Sequence, residues 1–264
     1  MEVYLPAMRI LICNDDGIHA PGIAALYEAL RPVGDIHVVA PEFERSAVGH
    51  AITVYDPLKT RTIYKNGAFF GHAVAGTPAD CVKLAVGTLL KHPPDLVVSG
   101  INLGPNAGIS VIYSGTVSAA TEGTILGIPS MAISLATFSD PCWPTAQWVA
   151  REMVQRLLED GLPSDTLLNV NVPNRSVDDI KGCRVTRMGR SRYLETFERR
   201  TDPRQNEYYW MDGEITLLED PSDTDIQALA DGYVSLTPLG FDMTRHDALA
   251  HCARWVAPFP PRAS

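Results

Sequence analysis

Arg9-Ile-Leu-Ile-Cys-Asn-Asp-Asp-Gly17 is the stretch whose reading decides the fold. Its first half is a short apolar run and reads as a strand buried on both faces. Its second half is polar and closes on a glycine, so the strand stops there and a loop begins. A helix follows over about Pro21 to Leu30, then a second strand, Ile36-His-Val-Val-Ala40. Thr77-Pro-Ala-Asp80 is a helix start, with Thr77 as N-cap, Pro78 in the first turn and Asp80 completing a capping box; its helix is expected to run to about Leu90. Further on come a strand (Asp95 to Ser99), a small-residue helix (Thr116 to Leu126), a strand (Ser130 to Ser134) and a helix (Thr145 to Glu159). This alternation implies an α/β fold, a Rossmann-like parallel sheet with helices on both faces. Shorter, more polar strands are expected over 51–54, 60–64 and 69–74.

The pattern changes after Pro173. Arg184 to Met188, Ile215 to Leu218 and Tyr233 to Thr237 read as strands in a polar setting, and Asp223 to Ala230 as a short helix stopped by Gly232. Tyr193 to Asp212 is charged and aromatic. The division expected is therefore a catalytic core over 1–173 and a smaller lobe over 174–264, whose β-hairpin or arm packs on a second subunit. The first seven residues precede the first clear strand.

The chain has 264 residues, 45% of them hydrophobic and 20% charged, enough for a sizeable core and against global disorder. A formal net charge of -9 argues against binding a nucleic-acid polymer. It also means that an anionic substrate needs local positive charge, from a metal ion, a helix N-terminus or a few arginines. The five cysteines are odd in number and none stand as C-x-x-C, which fits a reducing cytoplasm better than a disulfide framework. No apolar run reaches membrane-spanning length, and no signal peptide is evident.

In a parallel α/β sheet, ligands bind at the carboxyl ends of the strands. Asp15 and Asp16 are expected there, and two adjacent carboxylates repel each other unless a cation joins them. A hard divalent ion, magnesium or manganese, suits such oxygen donors, and Gly17 permits the tight turn. Alone, Asp-Asp-Gly reads equally well as a solvated turn. Other loops at the same edge add to it: Ser46 and Asn102 could complete an all-oxygen shell with the two aspartates. Ser114, Gly115 and Thr116 offer hydroxyls and amides at a helix N-terminus, a ready anion site. Each of these segments, taken singly, is also an ordinary turn or cap.

The motifs together resemble the survival protein SurE family over essentially the whole chain. They include Arg9 to Gly17, Ala40-Pro-Glu, Arg45-Ser46, Val48-Gly-His50, Gly76-Thr-Pro-Ala-Asp80 and Asp95 to Gly104 with Asn106. Tyr113-Ser-Gly-Thr-Val117, Glu122-Gly123, Asn169-Val-Asn-Val-Pro173, Asp202-Pro-Arg204, Tyr208-Tyr-Trp210 and Gly232 to Leu239 belong to the same set. Cys13, where the family usually has a small polar residue, and Ala47, where glycine is common, depart from it. The resemblance implies a divalent-metal phosphatase acting on nucleoside 5′- and 3′-monophosphates, with short polyphosphate as a further candidate substrate. It implies a swapped C-terminal lobe that builds homodimers or homotetramers. It implies one metal ion per subunit, magnesium, manganese or calcium, on Asp15, Asp16, Ser46 and Asn102, with phosphate held by Asn106, Ser114, Gly115 and Thr116. Asp15 and Asp16 are also the catalytic pair.

The expected mechanism is direct attack by water, which Asp15 or Asp16 orients or deprotonates. An aspartyl-phosphate route would call for Asp-x-Asp after the first strand, and here the aspartates are adjacent. Arg245-His246-Asp247 invites a histidine-phosphatase reading, but it lies near the end of the chain and reads better as a surface segment. His50 could donate from behind the metal ligands, and Arg190, Arg192 and Arg204 could order the arm. The alternatives from other classes are a non-catalytic nucleotide-binding regulator and a metal-dependent glycosyltransferase.

Overall fold

The computed structural model describes residues 8–218 and 222–256. The opening stretch forms β1 (Arg9–Cys13), which leads through the Asp15–Asp16 turn to α1 (Pro21–Leu30) and β2 (Asp35–Pro41). A long loop precedes the hairpin of β3 (Thr60–Lys65) and β4 (Ala68–Val74), then α2 (Pro78–Leu84). The chain continues through β5 (Leu96–Leu103), a single turn α3 (Ser110–Tyr113), α4 (Gly115–Ile125), β6 (Ser130–Ala136), α5 (Trp143–Asp160) and β7 (Thr166–Pro173). Beyond these lie β8 (Cys183–Val185), β9 (Ser191–Thr201), β10 (Glu207–Leu217), α6 (Asp225–Asp231), β11 (Val234–Gly240) and a short α7 (Leu249–Cys252).

The main sheet has nine strands in the order β3-β4-β2-β1-β5-β6-β7-β11-β8. From β4 to β7 every pairing is parallel. The chain leaves β1 toward β2 on one side and later returns to β5 on the other, so the crevice at the carboxyl ends of β1 and β5 is the topological switch point. The strand β1 alternates its side chains between two cores. Ile10 and Ile12 pack with α1 (Ile23, Leu26) and α5 (Val149, Met153); Leu11 and Cys13 pack with α2 (Cys81, Val82) and Ala119 of α4.

Four expectations are corrected in detail. Residues 51–54 form no strand, because Thr53 gives its amide and hydroxyl to Asp80 (2.8 and 2.6 Å) rather than to a neighbouring strand. The helix from Thr77 is α-helical only to Leu84 and continues as a π turn over Ala85–Leu89, closed by Leu90 N donating to Ala85 O. The strand expected over 184–188 is confined to β8, after which Thr186 and Arg187 bond to Leu236 and Asp223. Tyr193 to Asp212 and Ile215 to Leu218 are parts of one antiparallel hairpin, β9 with β10, which forms its own two-stranded sheet. Its tip turns where Asp202 Oδ1 accepts from the amides of Arg204 and Asn206, both at 2.8 Å.

Residues beyond Pro173 also complete the main sheet. β11 runs antiparallel to β7, with Ser235 opposite Asn171, and β8 lies at the edge beside it. Asp225, fully buried at the start of α6, accepts from the amides of Gly108 and Gly189, both at 2.9 Å. Ser191 Oγ accepts from Ile109 N at 2.9 Å. These bonds fasten the root of the hairpin to the loop after β5.

Candidate functional site

Asp15 and Asp16 emerge where β1 ends at the switch point. Asn14 is buried and donates through Nδ2 to Gly17 O (2.9 Å), tightening the turn, and Gly17 stands at φ +96°, a conformation that favours glycine. Asp15 is 6% exposed and lies against the N-terminus of α4. A Cβ on Gly115 would come within 2.7 Å of Asp15 Cβ, so only glycine lets the helix approach this closely. The Thr116 hydroxyl donates to Asp15 Oδ1. Ser114 caps the helix, its Oγ accepting from Val117 N at 3.0 Å.

Both carboxyls are held above the ordinary aspartate range. Burial pushes Asp15 up, and the hydroxyl of Thr116 opposes it without cancelling it. Asp16 is pushed up to about 7, first by burial, then by the charges of Asp15 and Glu44. Among the described residues, the main influences on Asp15 and Asp16 include the charge of Glu44 and no cationic side chain.

Asn102 follows a register shift in the β5–β6 pairing between Ser99 and Asn102, the kind of irregularity that re-aims a side chain. Its Nδ2 donates to Gly104 O (2.8 Å) and Leu103 O (3.2 Å), so the amide donors are spent on the loop and Oδ1 is the atom left for a ligand. Asn106 is buried and fixed from the strands beneath: Nδ2 donates to Ser134 Oγ (2.8 Å), and its main chain is clamped by Asn169 and Asn171. Ser46 is exposed, and its hydroxyl donates to Glu44 Oε1 at 2.6 Å.

Asp15, Asp16, Ser46, Asn102, Asn106 and Ser114 all line one cavity of about 730 Å³. Gly115 and Thr116 do not line it. They stand directly behind Asp15, where the Thr116 side chain is fully buried. The cavity also takes Glu44, Tyr113, Phe138 and four residues of the hairpin: Tyr193, Glu195, Met211 and Ile215. These last were not read from the sequence as site residues; the signal was the aromatic content of that segment, which gave no hint of where it folds. Asn169 and Asn171 were seen only as motif letters, although polar residues on an interior strand point to a buried network.

The donors suit a hard divalent cation. Besides the two aspartates they are neutral oxygens; among the described residues no group of three or more His, Cys, Asp or Glu side chains is placed to hold a metal ion, so such a site depends on the Ser and Asn oxygens. Of the remaining candidates, His50 Nε2 lies 2.8 Å from Glu122 Oε2, away from the aspartates. Arg190 and Arg192 line a smaller neighbouring cavity with Tyr193, and Arg204 stands at the exposed hairpin tip. His246 pairs with Asp242 (3.0 Å) and Arg245 with Asp247 (2.9 Å) on an exposed segment that does not line the cavity.

The family model described as "Survival protein SurE" matches residues 10–195, well over half of the chain. The chain belongs to the SurE family. A protein of Syntrophobacter fumaroxidans named 5'-nucleotidase SurE is 51% identical over 252 residues, spanning 94% of this chain and 99% of that one. A protein of the same name from Syntrophus aciditrophicus is 54% identical over 243 residues, 92% and 91% of the two chains. The crystal structure of the SurE protein from Aquifex aeolicus superposes with a TM-score of 0.81 at 42% identity, covering 94% of this chain and 99% of that one. The two departures from the SurE motifs stand in different surroundings. Cys13 is a buried wall of the α2 core, its Sγ 3.7 Å from Pro78 O. Ala47 stands at φ +55°, the left-handed region where glycine is at ease and alanine is strained.

Proposed function

We propose that this protein is a divalent-metal-dependent phosphatase that hydrolyses nucleoside 5′-monophosphates, and 3′-monophosphates beside them, to nucleoside and phosphate. The observation that carries the reading is the uncompensated Asp15–Asp16 pair at the switch point, facing one cavity with Ser46, Asn102, Asn106 and Ser114. The names of the relatives from Syntrophobacter and Syntrophus support the substrate class. A cation held by Asp15, Asp16, Ser46 and Asn102 would supply Lewis acidity toward a phosphoryl oxygen and the positive charge that an acidic chain lacks.

The chain's own groups do the rest. Ser114 meets the phosphate oxygens at the N-terminus of α4, whose dipole favours negative charge. Asn106, immobilised by Ser134, Asn169 and Asn171, fixes the opposite wall. Thr116 and Gly115 keep Asp15 in place against the helix. Asp16, half-buried and not tied to Thr116, is the group placed to orient the attacking water and take its proton. Phe138, Tyr193 and Met211 give the cavity an apolar side that suits a nucleoside better than a bare phosphate chain; short polyphosphate is the lesser substrate.

The hairpin exposes Phe197, Tyr209, Trp210 and Met211 along its length, and such a surface fits packing on another copy as a dimer or tetramer. The 174–264 part then carries the assembly surface and lends Tyr193, Glu195, Met211 and Ile215 to the cavity, while the cation and phosphate groups come from 1–173, in a cytoplasmic enzyme. Among the described residues no helix is long and apolar enough to cross a membrane.

The test is phosphate release from AMP, GMP, 3′-AMP and tripolyphosphate, with EDTA and with manganese, magnesium or calcium restored. Release from the monophosphates that EDTA abolishes and a divalent ion restores is expected. Release indifferent to chelation removes the metal role. Tight nucleotide binding without any release replaces the enzyme by a nucleotide-binding regulator. Light scattering on the same preparation reads the assembly, and a monomer at working concentration overturns that part.

A further inference from the structure

Glu122, outside the cavity, anchors the loop that carries Ser46 to it. The residue lies on α4 and is 2% exposed. Its Oε1 accepts from Lys83 Nζ on α2 at 2.6 Å, and its Oε2 faces His50 Nε2 at 2.8 Å. Burial alone would push this carboxyl up, but the hydrogen bonds from His50 and Lys83, with the Lys83 charge, outweigh burial and hold it below the usual range. An ionised carboxylate only accepts, so His50 Nε2 carries the proton in this contact.

His50 ends the span that carries Ser46; beyond it Ala51 O accepts from Thr77 Oγ1 (2.7 Å) and Thr53 donates to Asp80. Residues 42–59 contain no helix or strand. The main chain around Ser46 reaches the body of the protein through Arg45 N to Asp15 O (2.7 Å) and Gly49 N to Tyr113 O (3.0 Å). Between them Ala47 and Gly49 take the left-handed conformation, at φ +55° and +56°. Ser46 and Glu44, which share a hydrogen bond, project into the cavity from this span. The His50–Glu122 contact is the side-chain tether nearest to Ser46, ahead of the Thr77–Ala51 and Thr53–Asp80 bonds. Glu122 rides on the same helix whose first turn meets Asp15, so one rigid element carries both the Asp15 contact and the loop anchor.

We propose that Glu122 is a positioning residue for the cation and phosphate site, acting through His50 on the reach of Ser46. Glu122 itself touches no ligand. The inference takes the role of Ser46 from the function proposed above, but the coupling it asserts can be measured without turnover. Outer partners of metal ligands change cation affinity by about 10- to 100-fold when removed, and an effect of about 10-fold is expected here.

The experiment uses the full-length protein with His50→Ala, Glu122→Gln, the double variant and His50→Gln, whose amide can still donate to Glu122. Amide hydrogen exchange on the metal-free protein should rise at Arg45 and Gly49 in His50→Ala and Glu122→Gln, and stay near wild type in His50→Gln. Calorimetric titration with manganese alone should show affinity about 10-fold weaker in the first two, with the double variant no worse than either single one. With AMP, the rise should fall on KM and on the half-saturating manganese concentration more than on kcat. Unchanged exchange at Arg45 and Gly49, or additive losses in the double variant, overturns the proposal while leaving the phosphatase reading intact. Absence of AMP hydrolysis in the wild type sinks that reading, and the exchange data still decide the tether. Should Glu122→Gln fail to fold, His50→Ala carries the test, since the His50 side chain is one-third exposed and outside the core.

Discussion

Asp15 and Glu122 are both buried carboxylates at α4, and they titrate in opposite directions. Glu122, like Asp80 at the start of α2, is surrounded by donors: Lys83 and His50 in one case, the Thr77 amide and both donors of Thr53 in the other. In both, burial raises the carboxyl and the donors more than reverse it. Asp15 and Asp16 have one hydroxyl, some backbone and each other, with Glu44 nearby, and both stay raised. Burial of an acid is therefore no sign of function in this protein. Burial without compensation is, because a folded chain keeps such a cost only where something outside the chain removes it.

The largest test of that contrast is Asp16→Asn. Turnover of AMP should fall by about 1000-fold or more, as expected when a group on the reacting centre is lost, while the metal-free variant melts no lower than wild type because a repelling charge has gone. Activity near the wild-type level would place Asp16 among the structural acids instead. Thr116→Ala comes next. Losing the hydroxyl that holds Asp15 should lower kcat by about 100-fold, with secondary structure by circular dichroism unchanged; equal kcat and KM would remove Thr116 from the site.

On the structural side, Asp80→Asn should cost about 2 kcal/mol in urea denaturation, from a weakened capping box and the loss of ionised acceptors for Thr53. Its effect on kcat should be small by comparison. A large kcat loss at unchanged stability would erase the distinction between the two classes of acid.

The smallest effect is the dependence of melting on pH. Asp16 ionises near 7 when folded and near its ordinary 3.8 when unfolded, so the folded state holds more protons between them. The metal-free protein should lose stability as pH rises from about 4 to about 7, and Asp16→Asn should flatten that limb. Asp80 and Glu122 act at the other end. Their folded values lie below the ordinary 3.8 and 4.5, so the stability they give is present above those values and lost on further acidification. Saturating manganese should lift the melting temperature more at pH 7 than at pH 5, because binding needs the deprotonated pair. A manganese effect that does not grow with pH would detach the cation from Asp15 and Asp16.

Much of the architecture was legible because it depends on local pattern. The run Arg9 to Cys13 is apolar at every position after the first and alternates between two helix layers, so its burial follows from composition alone. The Thr77–Asp80 box is visible in four letters and is present as read. The segment 51–54 misled for the opposite reason. Its alternation is that of a strand, but the buried carboxylate of Asp80 captures Thr53, a contact between residues far apart in sequence. The hairpin residues of the cavity were out of reach in the same way. Tyr193 and Met211 are lipophilic letters in a charged segment until the bonds that Gly108 and Ile109 donate to Asp225 and Ser191 fix where the hairpin roots.

By itself, the amino-acid sequence determined the parallel sheet, the placement of Asp15 and Asp16 at a strand's carboxyl end, and the family to which the chain belongs. Period, caps and motif letters are properties of neighbouring residues, and they survive being read in one dimension. Only the tertiary structure decided which acids are compensated and which are not, that Thr116 serves Asp15 rather than facing the cavity, and that Glu122 holds His50. Those outcomes depend on which donors arrive from distant segments, and the field at a carboxylate is set by everything within a few ångströms of it, wherever in the chain it comes from.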